Sequence, residues 1–429
     1  MGIRILPWRY YIAVLPFALS FTTSAQFNTS NDDDLWGDKL RDHASRYKKP
    51  DEDTFVSTMM GVCFEPKPNV KKLGMLEEVR FKDPSLQKGR LETRILYSSD
   101  KVVYNEGKEN EWIEFVPKKA PLFVYFPGAF SEMMNNQTKR FMKDMNELGY
   151  HVAVFASPLH KDFIKLKPNF KPGDFLKEAQ ILHRGMEYAV DYVNKKGLLE
   201  VDQVYLTGVS YGAFMAAIAT NLDFDSRNLI TGGTTLISPP ADYEKSIKII
   251  DHLIDETRAD FAGLSFSTKY SRYLTVCRRH SKRLLKKYAK GLTVFVGFQE
   301  NMVESVKAYR KANGINDLPL NDRKWEESLT FQKYFDYYAP ELNASYQSVN
   351  SKIKTWVDRA NQNGKVIRIF AAEDDWLNEP DAWNNFDPEN LLTVKKGGHY
   401  GFHHLPWYDT LLTTLFSLPL AVMGGIVAF

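Results

Sequence analysis

The sequence predicts an α/β fold, with a mostly parallel central sheet flanked by helices and a helical cap insertion late in the chain. Three observations carry this prediction. Short apolar runs bounded by turn residues recur along the chain, and helix-length amphipathic segments separate the first of them. The alternation then stops between about Ala241 and Asn363 and resumes afterwards.

The short apolar runs are predicted to be strands. Each is four or five residues long, and several are continuously apolar, as is typical of strands covered on both faces. The six runs span residues 122–126, 151–155, 204–207, 234–237, 366–370 and 391–394.

Two helix-length segments lie between the first three strands, at 137–148 and 175–195. The second has apolar residues at intervals of three and four, which is the spacing of one helix face. A strand followed by a helix and another strand forms a parallel pair, so this order predicts a mostly parallel sheet.

The segment 241–363 is predicted to be an inserted helical cap or lid. Long charged helical patterns at 243–258 and 265–290 replace the strand signals there. The basic stretch 278–287 is either a solvated face or a contact with anionic lipid headgroups or an anionic substrate.

Composition limits the kinds of partner. Apolar residues make up 44% of the chain, which is enough for a large buried core. The 56 lysines and arginines nearly balance 53 aspartates and glutamates, giving a net charge of +3. This balance is too even to indicate nucleic acid as a partner, and we expect none.

The first 25 residues have the layout of a signal peptide. Arg4 and Arg9 precede the apolar run 10–21, and small residues at Thr23 and Ala25 suit a signal peptidase. We expect cleavage after Ala25 and a secreted or periplasmic protein; an uncleaved anchor is the alternative. Residues 26–53 are polar and are predicted to form a lead-in segment with little core of its own.

The last residues are apolar and uncharged. We expect a final domain helix followed by an apolar tail, 413–429, which either packs on the body or contacts a membrane. The two cysteines, Cys63 and Cys277, are too few for a disulfide framework. They form one disulfide if they lie close in space and are otherwise free buried thiols.

The segment Gly208-Val209-Ser210-Tyr211-Gly212 has the pattern of a nucleophile elbow. The turn from strand to helix is so sharp that the residues two before and two after the nucleophile must be small. An apolar strand precedes this segment and a run of small residues that favours a helix follows it. We therefore predict that Ser210 is a nucleophile.

A serine hydroxyl needs a base to take its proton and an acid to hold that base. His399 follows a predicted strand and has glycines on both sides, so a tight loop can direct its ring at the serine. Glu373, Asp374 and Asp375 follow the preceding predicted strand. We select Asp375 as the acid, with Asp374 as the alternative.

The oxyanion of the reaction requires two backbone N–H donors. One is expected at Tyr211, directly after the nucleophile, and the other at Ala129 or, alternatively, Phe130, in the turn after the first central strand. The sequence contains neither a metal-ligand pattern nor a glycine-rich phosphate loop, so we expect chemistry without a cofactor.

The motifs together resemble the α/β-hydrolase superfamily. They are Val-Tyr-Phe-Pro-Gly at 124–128, the elbow at 208–212, the aspartate pair at 374–375, and Gly-Gly-His-Tyr-Gly-Phe at 397–402. The last is similar to the branch of abhydrolase-domain esterases and lipases. The resemblance extends from about Pro121 to Leu412 and implies the triad Ser210, Asp375 and His399. We predict that the core of the fold comprises residues 54–240 and 364–412, on either side of the inserted cap.

The leading hypothesis is an exported hydrolase of carboxylic esters, with lipid or other hydrophobic acyl substrates favoured by the aromatic content and the apolar tail. The basic stretch of the cap and the apolar tail also suggest peripheral membrane contact through one of these two segments. A peptidase or thioesterase uses the same triad and is the first alternative. The second is a non-catalytic envelope or binding protein with a vestigial site.

Overall fold

The computed structural model describes residues 37–47, 53–63, 67–105, 111–261, 263–264, 266–279, 282–316 and 323–424. The signal peptide expected at 1–25 lies outside the described residues, as do most of the lead-in segment and the last five residues of the tail.

Ten strands are present in the described part of the chain. They are β1 (Leu76–Phe81), β2 (Leu91–Leu96), β3 (Ser99–Asn105), β4 (Glu111–Pro117), β5 (Ala120–Phe126), β6 (His151–Phe155), β7 (Leu199–Val209), β8 (Thr234–Ile237), β9 (Ile367–Ala372) and β10 (Leu391–Val394).

Eight of these strands form one sheet in the order β1-β2-β6-β5-β7-β8-β9-β10, while β3 and β4 pair with each other separately. Within the sheet only β2 is antiparallel to its neighbours, which are β1 and β6. All pairs from β6 to β10 are parallel. The predicted mostly parallel sheet is confirmed.

The six predicted strands correspond to β5 to β10, which form the buried part of the sheet. The sequence analysis did not predict β1 to β4. Of these, β1 and β2 contain charged residues. Arg80 pairs with Glu92 and Arg94 with Glu78 across the two strands, and each arginine also pairs with the glutamate two residues before it in its own strand. Such strands lack the continuous apolar run by which the buried strands are detected.

Fifteen α-helices accompany the strands in the described ranges. They are α1 (Gly37–Ser45), α2 (Thr54–Cys63), α3 (Asn136–Glu147), α4 (Lys161–Ile164), α5 (Phe175–Lys195), α6 (Tyr211–Phe224), α7 (Tyr243–Phe261), α8 (Phe266–Arg279), α9 (Lys282–Val294), α10 (Glu300–Asn313), α11 (Arg323–Ser328), α12 (Phe331–Tyr338), α13 (Asn343–Tyr346), α14 (Ile353–Gln362) and α15 (Pro406–Gly424). A π-helical turn, Phe295–Gln299, joins α9 to α10.

Helices cover both faces of the sheet. The apolar sides of α5, α6 and α14 pack with one face, and those of α1, α3 and α15 pack with the other. Helix α1 lies in the predicted lead-in segment, yet Leu40 is fully buried and Ala44 nearly so. That segment therefore contributes to the core, contrary to our expectation, because two well-placed apolar residues suffice to anchor a short helix.

The chain between β8 and β9 is helical, as α7 to α14. The pattern expected as one helix over 265–290 forms two helices, α8 and α9. The last helix, α14, packs against α6 on the sheet, where Asn221 donates a hydrogen bond to the Trp356 carbonyl at 2.9 Å. The inserted helices that do not pack on the sheet therefore end before α14. This end lies some residues earlier than Asn363, the predicted end of the cap.

The final helix, α15, continues past the expected start of the tail at residue 413. Leu415 and Phe416 are buried, and the Phe416 carbonyl accepts a hydrogen bond from Tyr150 at 2.7 Å. This part of the predicted tail is thus a packed helix. Within the ranges that the structure describes, no helix has the length and hydropathy needed to cross a membrane.

The two cysteines are joined in a disulfide, Cys63–Cys277. The bond links the end of α2 to α8 across 214 residues of sequence. Of the two arrangements left open by the sequence, the structure contains the paired one.

Candidate active site

Ser210 lies at the junction of β7 and α6, where the backbone turns sharply. Its φ of 55° is in the left-handed region, which residues other than glycine rarely adopt. A Cβ atom at Gly208 would lie 2.1 Å from the Gly212 carbonyl oxygen, and one at Gly212 would lie 2.2 Å from that of Phe126. Both glycines are therefore required by backbone contacts.

Ser210, His399 and Asp375 are brought together above the carboxyl ends of the parallel strands. The Ser210 Oγ atom lies 2.8 Å from His399 Nε2. On the other side of the ring, His399 Nδ1 lies 2.9 and 3.1 Å from the two Asp375 carboxylate oxygens. This is the geometry in which a base contacts a nucleophile and an acid orients the base.

The two adjacent aspartates contact different partners. Asp375 is 3% exposed, and besides His399 it accepts a hydrogen bond from the Leu377 amide at 3.0 Å. Asp374 instead accepts one from the Gly398 amide at 2.9 Å. Asp374 therefore holds the loop that carries His399, while Asp375 contacts the imidazole itself.

Helix α2 supports this arrangement from the N-terminal part of the chain. The Thr58 hydroxyl accepts hydrogen bonds from the His399 amide at 2.9 Å and from the Trp376 indole at 3.2 Å. Thr54 donates one to the Asp374 carbonyl at 2.6 Å. Sequence reasoning missed both threonines, because no local pattern relates α2 to loops more than 300 residues later.

The two predicted oxyanion donors flank Ser210. Tyr211 is the first residue of α6, and the first amides of a helix have no acceptor within it. Ala129 lines the two cavities that Ser210 also lines, and a Cβ atom at Gly128 before it would lie 3.4 Å from the serine Cβ. The alternative, Phe130, lines neither of those two cavities.

A buried carboxyl group lies beneath the elbow. Glu178 on α5 is fully buried; it accepts hydrogen bonds from the Gly173 amide at 2.6 Å and from the Tyr211 hydroxyl. Burial raises the pKa of Glu178 to about 7. No sequence pattern indicated this residue, which lies on the apolar side of its helix.

A cavity with a volume of about 370 Å³ opens above Ser210. Three parts of the chain form its walls: α2, the start of α3, and the end of α9 with the π-helical turn. His399 and Trp376 line it as well. Within the described residues, no group of three or more His, Cys, Asp or Glu side chains could hold a metal ion.

The strand order, the single antiparallel strand β2 and the strained turn at Ser210 define the α/β-hydrolase fold. The chain is thus a protein of the α/β-hydrolase fold in which a serine, a histidine and an aspartate meet in the chain order Ser, Asp, His.

Several solved structures are similar to this chain. An esterase of Pyrococcus furiosus has 12% identity and a TM-score of 0.43, over 82% of this chain and 94% of its own. An α/β hydrolase of Penicillium has 15% identity and a TM-score of 0.42, over 83% and 100%. An esterase of Pyrobaculum calidifontis has 14% identity and a TM-score of 0.41, over 90% and 99%. No protein-family model matches the sequence, and no curated protein matches it.

Proposed function

We propose that the chain is a serine hydrolase that cleaves carboxylic esters, with Ser210 as nucleophile, His399 as base and Asp375 as the orienting acid. The observation that carries this proposal is the contact of 2.8 Å between Ser210 Oγ and His399 Nε2, with Asp375 on the opposite ring nitrogen.

The proposed reaction has two steps. Ser210 Oγ attacks the ester carbonyl and its proton passes to His399 Nε2; the carbonyl oxygen becomes an oxyanion between the Tyr211 and Ala129 amides. Collapse of this intermediate breaks the C–O bond, and His399 returns the proton to the departing alcohol. Water, deprotonated by His399, then attacks the acyl-enzyme and releases the acid and free Ser210.

A fluorophosphonate probe tests the proposed nucleophile. We expect labelling of the purified wild type and loss of labelling in Ser210→Ala, together with a fall in ester hydrolysis of at least 10³-fold, as for the loss of a triad member. A protein that is never labelled, or one in which the alanine variant is labelled equally, contradicts the proposal. Faster cleavage of a peptide or thioester than of every ester tested would favour the alternative substrate classes.

We further propose that the protein is exported. The proposal rests on the signal-peptide layout of residues 1–25, and it is supported by the Cys63–Cys277 disulfide, a bond that persists in oxidising compartments. Expression of the full chain, followed by mass spectrometry of the secreted or periplasmic fraction, is expected to find a mature N-terminus at Gln26. Full-length protein confined to the cytoplasm would contradict it.

A further inference from the structure

Ser210 lines two cavities of very different size. The open cavity described above has a volume of about 370 Å³. The second, called the small pocket here, has a volume of about 30 Å³ and lies between the sheet and the cap helices α7 and α12. Its walls are formed chiefly by Leu159, Pro240, Tyr243, Ile250, Phe331 and Leu377.

The position of His399 distinguishes the two cavities. Its side chain lines the open cavity and does not line the small pocket, whereas Ser210, Ala129 and Phe298 line both. In an ester hydrolase the histidine that takes the serine proton returns it to the leaving oxygen. The leaving group must therefore lie near His399, in the open cavity, which leaves the small pocket for the acyl chain.

The small pocket leaves little room for an acyl chain. Water requires roughly 10–15 Å³ by the same measure of volume, so this pocket holds about two to three groups of that size. Its side walls are buried: Leu159, Ile250 and Leu377 are each 5% exposed or less. Because packed interiors yield little, a longer chain would have to displace these side chains.

We infer that the enzyme hydrolyses short-chain acyl esters of larger alcohols, with the acyl group in the small pocket and the alcohol in the open cavity. This inference rests on the proposed function. It narrows the lipid or other hydrophobic acyl substrates that the composition of the chain favours, because composition describes the whole surface and core and not the space beside one serine.

A second apolar cavity, of about 20 Å³, lies next to the small pocket. Leu159, Tyr243 and Phe331 line both, and thus form the partition between them. Of these three residues, Phe331 can be shortened with the least effect on the elbow, because it belongs to the cap helix α12. Removing its ring should join the two spaces and lengthen the acyl pocket.

The test measures kcat/KM for p-nitrophenyl esters from acetate to dodecanoate. For the wild type we expect the highest values with acetate or propionate and a fall of at least tenfold by hexanoate. In Phe331→Ala we expect the ratio of hexanoate to acetate to rise at least tenfold, and in Phe331→Leu to rise less. Phe331→Leu keeps most of the packing, so it provides the test if Phe331→Ala does not fold.

Phe261→Ala is the matched control. Phe261 is a buried phenylalanine of α7 that packs against Phe295 and lines none of these three cavities. Its removal should leave the ratio of hexanoate to acetate unchanged.

A wild type that prefers octanoate or longer, or a ratio that changes equally in Phe261→Ala, would overturn the inference. Fluorophosphonate labelling of Ser210 separates the two proposals. A labelled enzyme with the wrong chain-length preference refutes only the acyl pocket, whereas an unlabelled and inactive protein refutes the proposed function and the inference with it.

Discussion

His399 is held by three different parts of the chain. Asp375 contacts its Nδ1 atom, Ser210 its Nε2 atom, and Thr58 on α2 accepts a hydrogen bond from its backbone amide. The ring edge of Trp376 packs against it at 5.8 Å between centroids. Because each contact restricts a different movement, the imidazole is oriented before any substrate binds.

Thr58 is expected to act as a positioning residue in the proposed reaction. Thr58→Val keeps the shape of the side chain and removes the acceptor for the His399 amide. A net hydrogen bond is worth about 1 kcal/mol, so we expect kcat for p-nitrophenyl acetate to fall about fivefold with KM little changed.

Ser57→Ala is the matched control on the same helix. Ser57 is fully buried, and its hydroxyl has no hydrogen-bond partner among the described residues, so its loss should leave kcat unchanged. An equal fall in kcat in the two variants would show that Thr58 acts through helix packing alone.

Glu178 makes the stability of the fold depend on pH. Below about pH 4.5 its carboxyl group is protonated in both the folded and the unfolded chain. As the pH rises towards 7, the unfolded chain releases a proton that the folded chain retains. The folded state is thus progressively destabilised across this window, and the cost is complete above about pH 7.

Glu178→Gln mimics the protonated group at every pH. The variant should therefore gain stability relative to the wild type between pH 5 and pH 8, by roughly 2–3 kcal/mol for a pKa raised to about 7. Urea unfolding of the wild type and the variant at pH 5 and pH 8 measures this difference in the free energy of unfolding. Glu187→Gln, on the same helix but partly exposed, is the control and should show a smaller change. If the difference in the free energy of unfolding between Glu178→Gln and the wild type does not change with pH, ionisation of Glu178 is not its cause.

At the scale of secondary structure, the junction of β7 and α6 is the most constrained element. The hydrogen bond from the Ser210 amide to the Ile237 carbonyl, 2.9 Å long, ties it to the next strand. The positive φ of Ser210 is maintained because Gly208 and Gly212 let three backbone segments meet without a side chain between them.

Gly208→Ala should destabilise this junction strongly. The new Cβ atom would lie 2.1 Å from a backbone oxygen, which cannot move away as a side chain can. We expect the free energy of unfolding to fall by about 3 kcal/mol, which is the upper end of the usual cost of an overpacked substitution. Fluorophosphonate labelling should be lost as well.

Gly197→Ala provides the comparison. Gly197 has a positive φ, of 70°, which Gly208 does not, but a Cβ atom there meets nothing within 4 Å. Only the backbone conformation is then penalised, by about 1 kcal/mol. If both variants lose the same free energy of unfolding, the close backbone approach at the elbow is not the cause.

At the scale of the whole molecule, the disulfide connects an N-terminal helix with the cap. Helix α2 carries Thr54 and Thr58, which hold the loops of Asp374 and His399, and its last residue, Cys63, is bonded to Cys277 on α8. The same helix and the end of α9 line the open cavity. The bond therefore ties together two distant parts of the chain that both contribute to the site.

Removal of this bond should weaken the whole fold. For the double variant Cys63→Ser, Cys277→Ser we expect a loss of about 4 kcal/mol, because the bond closes a loop of 214 residues in the unfolded chain. Urea unfolding with and without dithiothreitol measures the effect, and the reduced wild type should match the variant. A wild type whose unfolding midpoint does not respond to reductant would contradict the expectation.

The sequence predicted the inner part of this fold well. The strands β6, β8 and β10 have the predicted bounds, as does α5. Buried parallel strands are continuously apolar and their helices amphipathic, so each can be recognised from a few adjacent residues. The outer strands β1 and β2 mix charged and apolar residues and carry ion pairs between them, and their positions became evident only in the folded sheet.

The chain alone determined the elbow and the order of the three residues that meet at Ser210, because these depend on glycine spacing and strand ends, which are local. It left Asp374 and Asp375 as alternatives and gave no sign of Thr58, Glu178 or the small pocket beside Ser210. These depend on which loops and helices meet in space, at separations of up to 341 residues. Only the tertiary structure decides such contacts, since they result from the packing of the sheet, its helices and the cap together.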